Sequence, residues 1–184
     1  MGIAFIMVVS AGGLQVHNEV ENSKLETKSL EVVAQIEEIF DEYLADENVE
    51  RVDRVEIDNT TYIGVLTIPC LNNMSLGVID RYTDENLKVS ICRYSGGIGK
   101  SKMVIAGHNY KYSFGQLSKM KVGSIAYFKT LEGVTYQYRC TEILELSPKD
   151  VDKMQEGNWD MTLFTCTYDG RNRLTLRFEL ENEV

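Results

Sequence analysis

The side chains best suited to chemistry in this chain are a thiol and an imidazole, each at the predicted end of a strand. Cys166 follows the apolar run Thr162–Thr165, and His108 follows the run Met103–Ala106. The ordinary pKa of a cysteine thiol is about 8.5, so at neutral pH a thiol needs a base or a cationic partner to attack a substrate. A cysteine and a histidine that meet are typical of nucleophilic catalysis through a covalent intermediate.

The cation expected beside Cys166 is Arg173, which opens the strand after a turn-rich link. Strands joined by a short link usually lie side by side, so the end of the first meets the start of the second. Arg171 lies in the turn itself. Arg177 shares a face with Arg173 but is about 13 Å further along the strand. Arg173 is therefore the arginine expected to face Cys166.

Composition excludes several other classes of site. The net charge is -9, which argues against nucleic acid as the main partner because phosphate binding needs concentrated Lys and Arg. None of the four cysteines forms a C-x-x-C pair, and the chain has only two histidines. A structural zinc site is therefore not expected. The acidic residues Asp80, Asp84 and Glu85 could recruit calcium, but acidic loops are usually solvated. We expect no metal.

From Tyr62 onward, short β-branched and aromatic runs alternate with glycines and polar turns, which is typical of a mainly β fold. Strands are predicted at Tyr62–Ile68, Leu87–Cys92, Met103–Ala106, Ser124–Lys129, Thr135–Leu144, Met161–Thr165 and Arg173–Leu180. Short helical pieces are predicted at Phe114–Lys119 and Pro148–Gln155, the second with Ser147 as N-cap. Many short strands with few helices indicate a closed or nearly closed β-barrel.

The N-terminal third has a different pattern. Apolar residues at spacings of three and four predict an amphipathic helix from Ser29 to Leu44, followed by an acidic linker, Ala45–Asp58. Gly2–Leu14 is apolar but shorter than the roughly 20 residues of a membrane-spanning helix. It is interpreted as the remnant of a longer membrane anchor or as an end without structural role. The expected parts are residues 1–28 (anchor remnant and linker), 29–58 (helix and acidic linker) and 59–184 (barrel).

Three segments resemble the sortase family and occur in the family's order. TLFTC at Thr162–Cys166 resembles the family's Thr-Leu-any-Thr-Cys strand end, and AGHN at Ala106–Asn109 resembles its histidine segment. YIGVLTIP at Tyr62–Pro69 resembles an early family strand that ends in Ile-Pro. CRYSG at Cys92–Gly96, followed by VIAGHNY, is similar to clostridial sortases of class B or D. The resemblance covers about residues 62–180.

The resemblance implies an eight-stranded sortase β-barrel with short helices, and it implies roles for the candidate residues. Cys166 would be the nucleophile that forms a thioester. His108 would be the general acid for the departing amine and then the base for the incoming one. Arg173 would donate hydrogen bonds to the bound signal and the oxyanion, because a guanidinium stays charged and offers a planar fork of donors. The flanking residues expected to contact substrate are Asn109, Thr165 and Tyr168.

The activity implied is transpeptidation of a Leu-Pro-any-Thr-Gly-like sorting signal, cleaved between Thr and Gly. The acyl group would pass to an amine of a cell-wall precursor or of a pilin, at the outer face of a Gram-positive cell membrane, without a cofactor. Two other functions stay open. One is a cysteine peptidase that releases the acyl-enzyme to water, and the other is an inactive barrel that binds surface peptides. An L,D-type transpeptidase would need a Ser-His-Gly-Cys-like block, which the sequence lacks.

Overall fold

The structure, a computed structural model, describes residues 26–46, 48–99 and 102–183. Within these ranges there are three α-helices, namely α1 (26–45), α2 (Asp84–Leu87) and α3 (Val151–Gln155). Two 3-10 turns cover Pro69–Leu71 and Phe114–Lys119. The strands of the same ranges are β1 (Val55–Ile57), β2 (Thr60–Ile68), β3 (Met74–Ile79), β4 (Ile91–Ser95), β5 (Met103–Ala106), β6 (Ile125–Thr130), β7 (Thr135–Leu146), β8 (Met161–Cys166) and β9 (Arg173–Glu183).

Eight of the described strands close into a barrel. Their order around the ring is β2-β3-β4-β5-β8-β9-β7-β6, and antiparallel pairing of β6 with β2 completes it. The short strand β1 pairs with residues 60–62 of β2. It lies on the same edge of β2 with which β6 pairs at residues 64–67. Gly64 lies at the closing seam, where a Cβ would come 2.2 Å from the Lys129 carbonyl oxygen. The expected eight-stranded barrel is confirmed.

The barrel interior is filled by one apolar cluster because side chains alternate between the two faces of each strand. Leu163 of β8 and Leu176 and Phe178 of β9 point into it, as do Phe114 and Leu117 of the second 3-10 turn. All five are fully buried. The 3-10 turn contacts β8, so it packs under the strand that carries Cys166.

The predicted N-terminal helix is present and packs on the outside of the barrel. Val32, Ile36 and Phe40 are buried on one side of α1, in a cluster with Tyr62 and Val65 of β2 and further residues of the neighbouring strands. Burial of each large apolar side chain stabilises the fold by roughly 1.5–3 kcal/mol. The helix is thus part of the folded body and not a free spacer.

The segment after α1 is also attached to the barrel. The Val52 amide donates to the Tyr43 hydroxyl at 3.0 Å, and the Arg51 guanidinium donates to the Glu132 carbonyl at 2.9 Å.

Among the described residues no helix is long and apolar enough to cross a membrane. Gly2–Leu14, the predicted anchor remnant, lies outside the described residues.

Four local predictions were wrong. The strand predicted at Leu87–Cys92 begins at Ile91, because Thr83 caps α2: its hydroxyl accepts from the Asn86 amide at 3.0 Å. Strand β3 was not predicted. The third helix begins at Val151 with Asp150 at its N-cap, not at Pro148 with Ser147. Leu44, placed in the apolar stripe of α1, is 86% exposed.

Candidate active site

Cys166 and Arg173 lie opposite each other on neighbouring antiparallel strands. Cys166 is the last residue of β8 and Arg173 the first of β9, and their Cα atoms are register partners. The arrangement follows from strand polarity, since the end of one antiparallel strand lies beside the start of the next. The structure therefore brings these two predicted site residues together.

The six-residue link between the two strands is held by its own hydrogen bonds. The Thr167 amide donates to the Asn172 carbonyl at 2.9 Å, and the Gly170 amide donates to the Thr167 carbonyl at 2.8 Å. The Asp169 carboxylate accepts from the Thr167 hydroxyl at 2.6 Å and from the Arg171 amide at 3.1 Å. These bonds lower the pKa of Asp169. The link thus fixes how Cys166 and Arg173 face each other.

His108 joins the same row from the other side of β8. Strands β5 and β8 are parallel, with register partners running from Met103–Met161 to Ala106–Phe164. The Gly107 amide continues the ladder by donating to the Phe164 carbonyl at 3.1 Å. Continued for two residues past the end of β5, this register would place His108 level with Cys166. Neighbouring strands are about 4.8 Å apart, so the register predicts that Cys166 lies between His108 and Arg173 in one row across the ends of β5, β8 and β9.

The backbone next to His108 is closely packed. A Cβ on Gly107 would come 2.6 Å from the Phe114 ring and 3.0 Å from Ile91. The Phe114 amide also donates to the His108 carbonyl at 3.0 Å. The glycine that precedes His108 is therefore required by the approach of the buried Phe114 ring.

The His108 imidazole is half-buried, and its ring stacks on Tyr110 with centroids 4.7 Å apart and planes inclined by 26°. Burial lowers the pKa of His108 below its usual value. Two nearby charges act in opposite senses, since Asp84 of α2 raises this pKa and Lys88, directly after α2, lowers it. The neutral imidazole is thus favoured. One of its nitrogens donates a hydrogen bond and the other accepts one.

An apolar surface adjoins the row on the outer face of the barrel. Phe164 lies two residues before Cys166 and so on the same face of β8. The Tyr94 ring of β4 meets the Phe164 ring edge-on, with centroids 5.7 Å apart. On the other side, Met154 of α3 packs with Leu146 and Phe164 in one cluster.

The other arginines near Cys166 have different partners. Arg171 is in the exposed link and pairs with Asp169. Arg177 faces Glu142 of β7, donates to the Lys153 carbonyl at 2.7 Å and stacks over the Trp159 ring at 3.7 Å. Arg177 therefore attaches the α3 segment to the barrel, while Arg173 is the one of the three that lies in the row of Cys166.

The three residues predicted to contact substrate are placed differently. Asn109 is half-buried directly after His108, and Tyr168 is fully exposed in the link after Cys166. Thr165 is 2% exposed and on the face of β8 opposite to Cys166, and its hydroxyl oxygen is buried without a hydrogen-bond partner among the described residues. The structure thus brings Asn109 and Tyr168, but not Thr165, to the open side of the row.

The sequence analysis did not single out Tyr110 or Tyr94. A signal for Tyr110 was available, because it follows His108 by two residues. Tyr94 could not be found in the same way, since its contact with Phe164 joins distant parts of the chain. Strand β4 has a register irregularity between Arg93 and Ser95, and Tyr94 lies at that point.

The remaining cysteines and acidic residues form no second site in the described part of the chain. Burial raises the pKa of Cys92 to about 12 and that of Cys140 to about 11, so both thiols stay protonated. Cys70 is exposed. Asp80 pairs with Arg93 and Arg54, and no group of three metal-ligating side chains occurs in the ranges that the structure describes.

A closed barrel that carries a thiol, an imidazole and a guanidinium in one row fits an enzyme of cysteine-dependent acyl transfer. The family model of the sortase domain matches residues 66–181. This span is more than half of the chain, so the chain belongs to the sortase family and is, in general terms, a cysteine transpeptidase. A comparison with curated protein sequences gives no match.

Solved sortase structures share the fold. Sortase C1 from Streptococcus agalactiae is 28% identical over 69% of this chain and 71% of its own, with a TM-score of 0.59. Sortase A from Listeria monocytogenes is 24% identical over 66% and 88%, with a TM-score of 0.61. Sortase C from Streptococcus pneumoniae is 21% identical over 86% and 97%, with a TM-score of 0.59. The class B or D type expected from the sequence stays a prediction.

Proposed function

We propose that this chain cleaves a Leu-Pro-any-Thr-Gly-like sorting signal between Thr and Gly and transfers the acyl fragment to an amine. The observation that carries the proposal is the row His108, Cys166, Arg173 at one end of the barrel. The acceptor would be an amine of a cell-wall precursor or of a pilin. The enzyme would act at the outer face of a Gram-positive cell membrane.

In the first half-reaction, His108 holds the proton of the Cys166 thiol while the sulfur attacks the carbonyl carbon of the scissile peptide bond. The oxyanion that forms is stabilised by the guanidinium of Arg173, a fixed charge that donates in a planar fork. Collapse of the tetrahedral intermediate breaks the C–N bond, and His108 gives its proton to the departing amine. The products are a thioester on Cys166 and a free amine.

In the second half-reaction, the acceptor amine attacks the thioester carbonyl. The now neutral His108 takes a proton from this amine, and the Cys166 sulfur leaves as the new peptide bond forms. One peptide bond is broken and one is made, so the reaction needs no external oxidant, reductant or metal.

The protonation states limit the rate. Reference pKa values of about 8.5 for a thiol and 6.5 for an imidazole make the neutral pair about a hundredfold more abundant than the thiolate–imidazolium pair. Burial lowers the pKa of His108 further, which disfavours the imidazolium. We therefore expect slow turnover from a small reactive fraction.

The test is product analysis by mass spectrometry. The protein is incubated with a Leu-Pro-Xaa-Thr-Gly pentapeptide library, with and without triglycine as acceptor. The expected products are a thioester on Cys166 and a triglycine adduct, both absent from Cys166→Ala. Release of the acid alone, even with triglycine in excess, would indicate the cysteine peptidase instead. Peptide binding without any cleavage would indicate the inactive binding barrel.

A further inference from the structure

The strand end that carries His108 continues into a loop whose aromatic residue folds back onto the imidazole. Tyr110 follows His108 by two residues, and the two rings are stacked, with centroids 4.7 Å apart. Tyr110 is 47% exposed and His108 is half-buried, so the tyrosine ring lies between the imidazole and solvent on one face.

The backbone on both sides of this stack is fixed. The carbonyl oxygen of His108 accepts from the Phe114 amide at 3.0 Å. The carbonyl oxygen of Tyr110 accepts from the Ser113 amide at 3.0 Å and from the Gly115 amide at 2.9 Å. A Cβ on Gly115 would lie 2.6 Å from that Tyr110 oxygen, so the close turn depends on glycine. Tyr110 is therefore held over His108 by the fold.

We propose that Tyr110 is a positioning residue for His108, whose ring sets the plane of the imidazole so that it faces Cys166. The inference rests on the proposed function, since it assigns Tyr110 a part in that reaction. A histidine side chain has two rotatable bonds, and a flat aromatic face at van der Waals distance restricts both. A proton donor must be within hydrogen-bond reach of the atom it serves, so this restriction bears on catalysis.

The other groups around His108 do not supply the same restraint. Asp84 of α2 and Lys88, directly after α2, act on the imidazole through their charge. Cys166 of β8 is the reaction partner, and Arg173 of β9 lies beyond it in the row. Charges act over a distance without fixing the plane of a ring, whereas a stacked ring does so directly.

The test compares three substitutions. Tyr110→Phe keeps the ring and loses the hydroxyl, Tyr110→Leu keeps apolar cover without a flat face, and Tyr110→Ala removes both. Transfer to triglycine gives kcat and KM, and NMR of the His108 ring gives its titration. Tyr112→Ala is the control variant. It removes an aromatic ring from the same loop, but this ring is the one contacted by Lys111. Circular dichroism verifies that each variant is folded.

Tyr110→Phe is expected to match the wild type. Tyr110→Leu and Tyr110→Ala are expected to lower kcat on the order of tenfold with little change in KM, as misplacement of a catalytic group does. In Tyr110→Ala the pKa of His108 should also rise toward its usual value, because the ring is no longer buried. In Tyr110→Leu the pKa of His108 should stay lowered, because the leucine still covers the imidazole. A fall in kcat without a change in this pKa would then be caused by lost positioning and not by lost burial.

Two results would overturn the proposal. One is an unchanged kcat in Tyr110→Leu, and the other is a loss in Tyr110→Phe as large as in Tyr110→Ala. If the wild type transfers no peptide at all, the proposed function fails. The His108 titration then still tests the stack, since an unchanged pKa in Tyr110→Ala would show that the tyrosine ring does not cover the imidazole.

Discussion

The backbone amide of Gly107 donates a hydrogen bond to the carbonyl of Phe164 at 3.1 Å, which continues the pairing of β5 with β8 toward His108 and Cys166. Gly107 directly precedes His108, and Phe164 lies two residues before Cys166. The alignment of the candidate site thus depends on the parallel pairing of β5 with β8.

Gly107→Ala is expected to disturb this alignment. The added methyl group would come 2.6 Å from the Phe114 ring, and relief of such overpacking costs about 1–3 kcal/mol. Chemical denaturation should show that loss of stability, and transfer activity should fall at least tenfold in the folded variant. Gly123→Ala is the control, because a Cβ there has no heavy atom within 4 Å, although its positive φ carries its own strain. Full activity in Gly107→Ala would contradict the prediction.

Substitution of Arg173 should affect kcat and not stability, whereas substitution of Arg177 should affect stability and not kcat. Arg173→Lys keeps the charge but not the planar fork, so kcat is expected to fall about a hundredfold with stability unchanged. Arg177→Gln loses the Trp159 stack and the bond to the Lys153 carbonyl, so it should cost about 1–2 kcal/mol of stability. Its kcat should stay near that of the wild type. The assignment of roles is wrong if Arg177→Gln abolishes transfer while Arg173→Lys does not.

Removing the charge of Asp84 or of Lys88 should move the pKa of His108 in opposite directions. Asp84 raises this pKa, so Asp84→Asn should lower it further. Lys88 lowers it, so Lys88→Gln should raise it. Each shift is measured by NMR titration of the His108 ring, identified by its absence in His108→Gln. Shifts of equal sign in both variants would contradict the electrostatic explanation.

Thiol labelling should divide the cysteines into two pairs. Cys166 is half-buried and Cys70 is exposed, so iodoacetamide at pH 8 should modify both in the native protein. Cys92 and Cys140 should react only after denaturation, because they are buried and their pKa values are about 12 and about 11. Peptide mapping by mass spectrometry locates the label. Modification of Cys140 in the native protein would contradict the packing described above.

The packing of α1 can be tested with two leucine-sized side chains of the same helix. Ile36 is fully buried, so Ile36→Ala should lower the free energy of unfolding by about 2–5 kcal/mol. Leu44 is 86% exposed, so Leu44→Ala should change it by no more than about 0.5 kcal/mol. Urea denaturation gives both values. Equal effects would mean that α1 does not pack on the barrel as described.

Much of the site was predictable because strand ends are visible in a sequence. The positions of His108, Cys166 and Arg173 follow from where apolar runs stop and start, and the family resemblance assigned their roles. Alternation along β8 also predicts that Thr165 points away from the face of Cys166, a consequence that the sequence analysis did not draw.

Other features could not be predicted because they join distant segments. The partners of Arg177 come from β7, from α3 and from the residue Trp159, which no local pattern connects. Strand β3 was missed because the run Leu76–Ile79 is buried throughout and shows no alternation. The strand predicted from Leu87 starts too early because the Thr83 cap places Leu87 in α2. A prediction from the apolar pattern alone does not take such a cap into account.

The closure of the barrel restricts how a peptide can be recognised. Strand β8 is paired with β5 on one edge and β9 on the other, and β9 is paired with β8 and β7. A peptide therefore cannot add itself to the sheet as a further strand beside Cys166, the route by which many proteins recognise extended segments through main-chain bonds. If the proposed peptide substrate binds beside Cys166, the contacts that distinguish one signal from another would come from groups on the outer wall and not from a new sheet ladder.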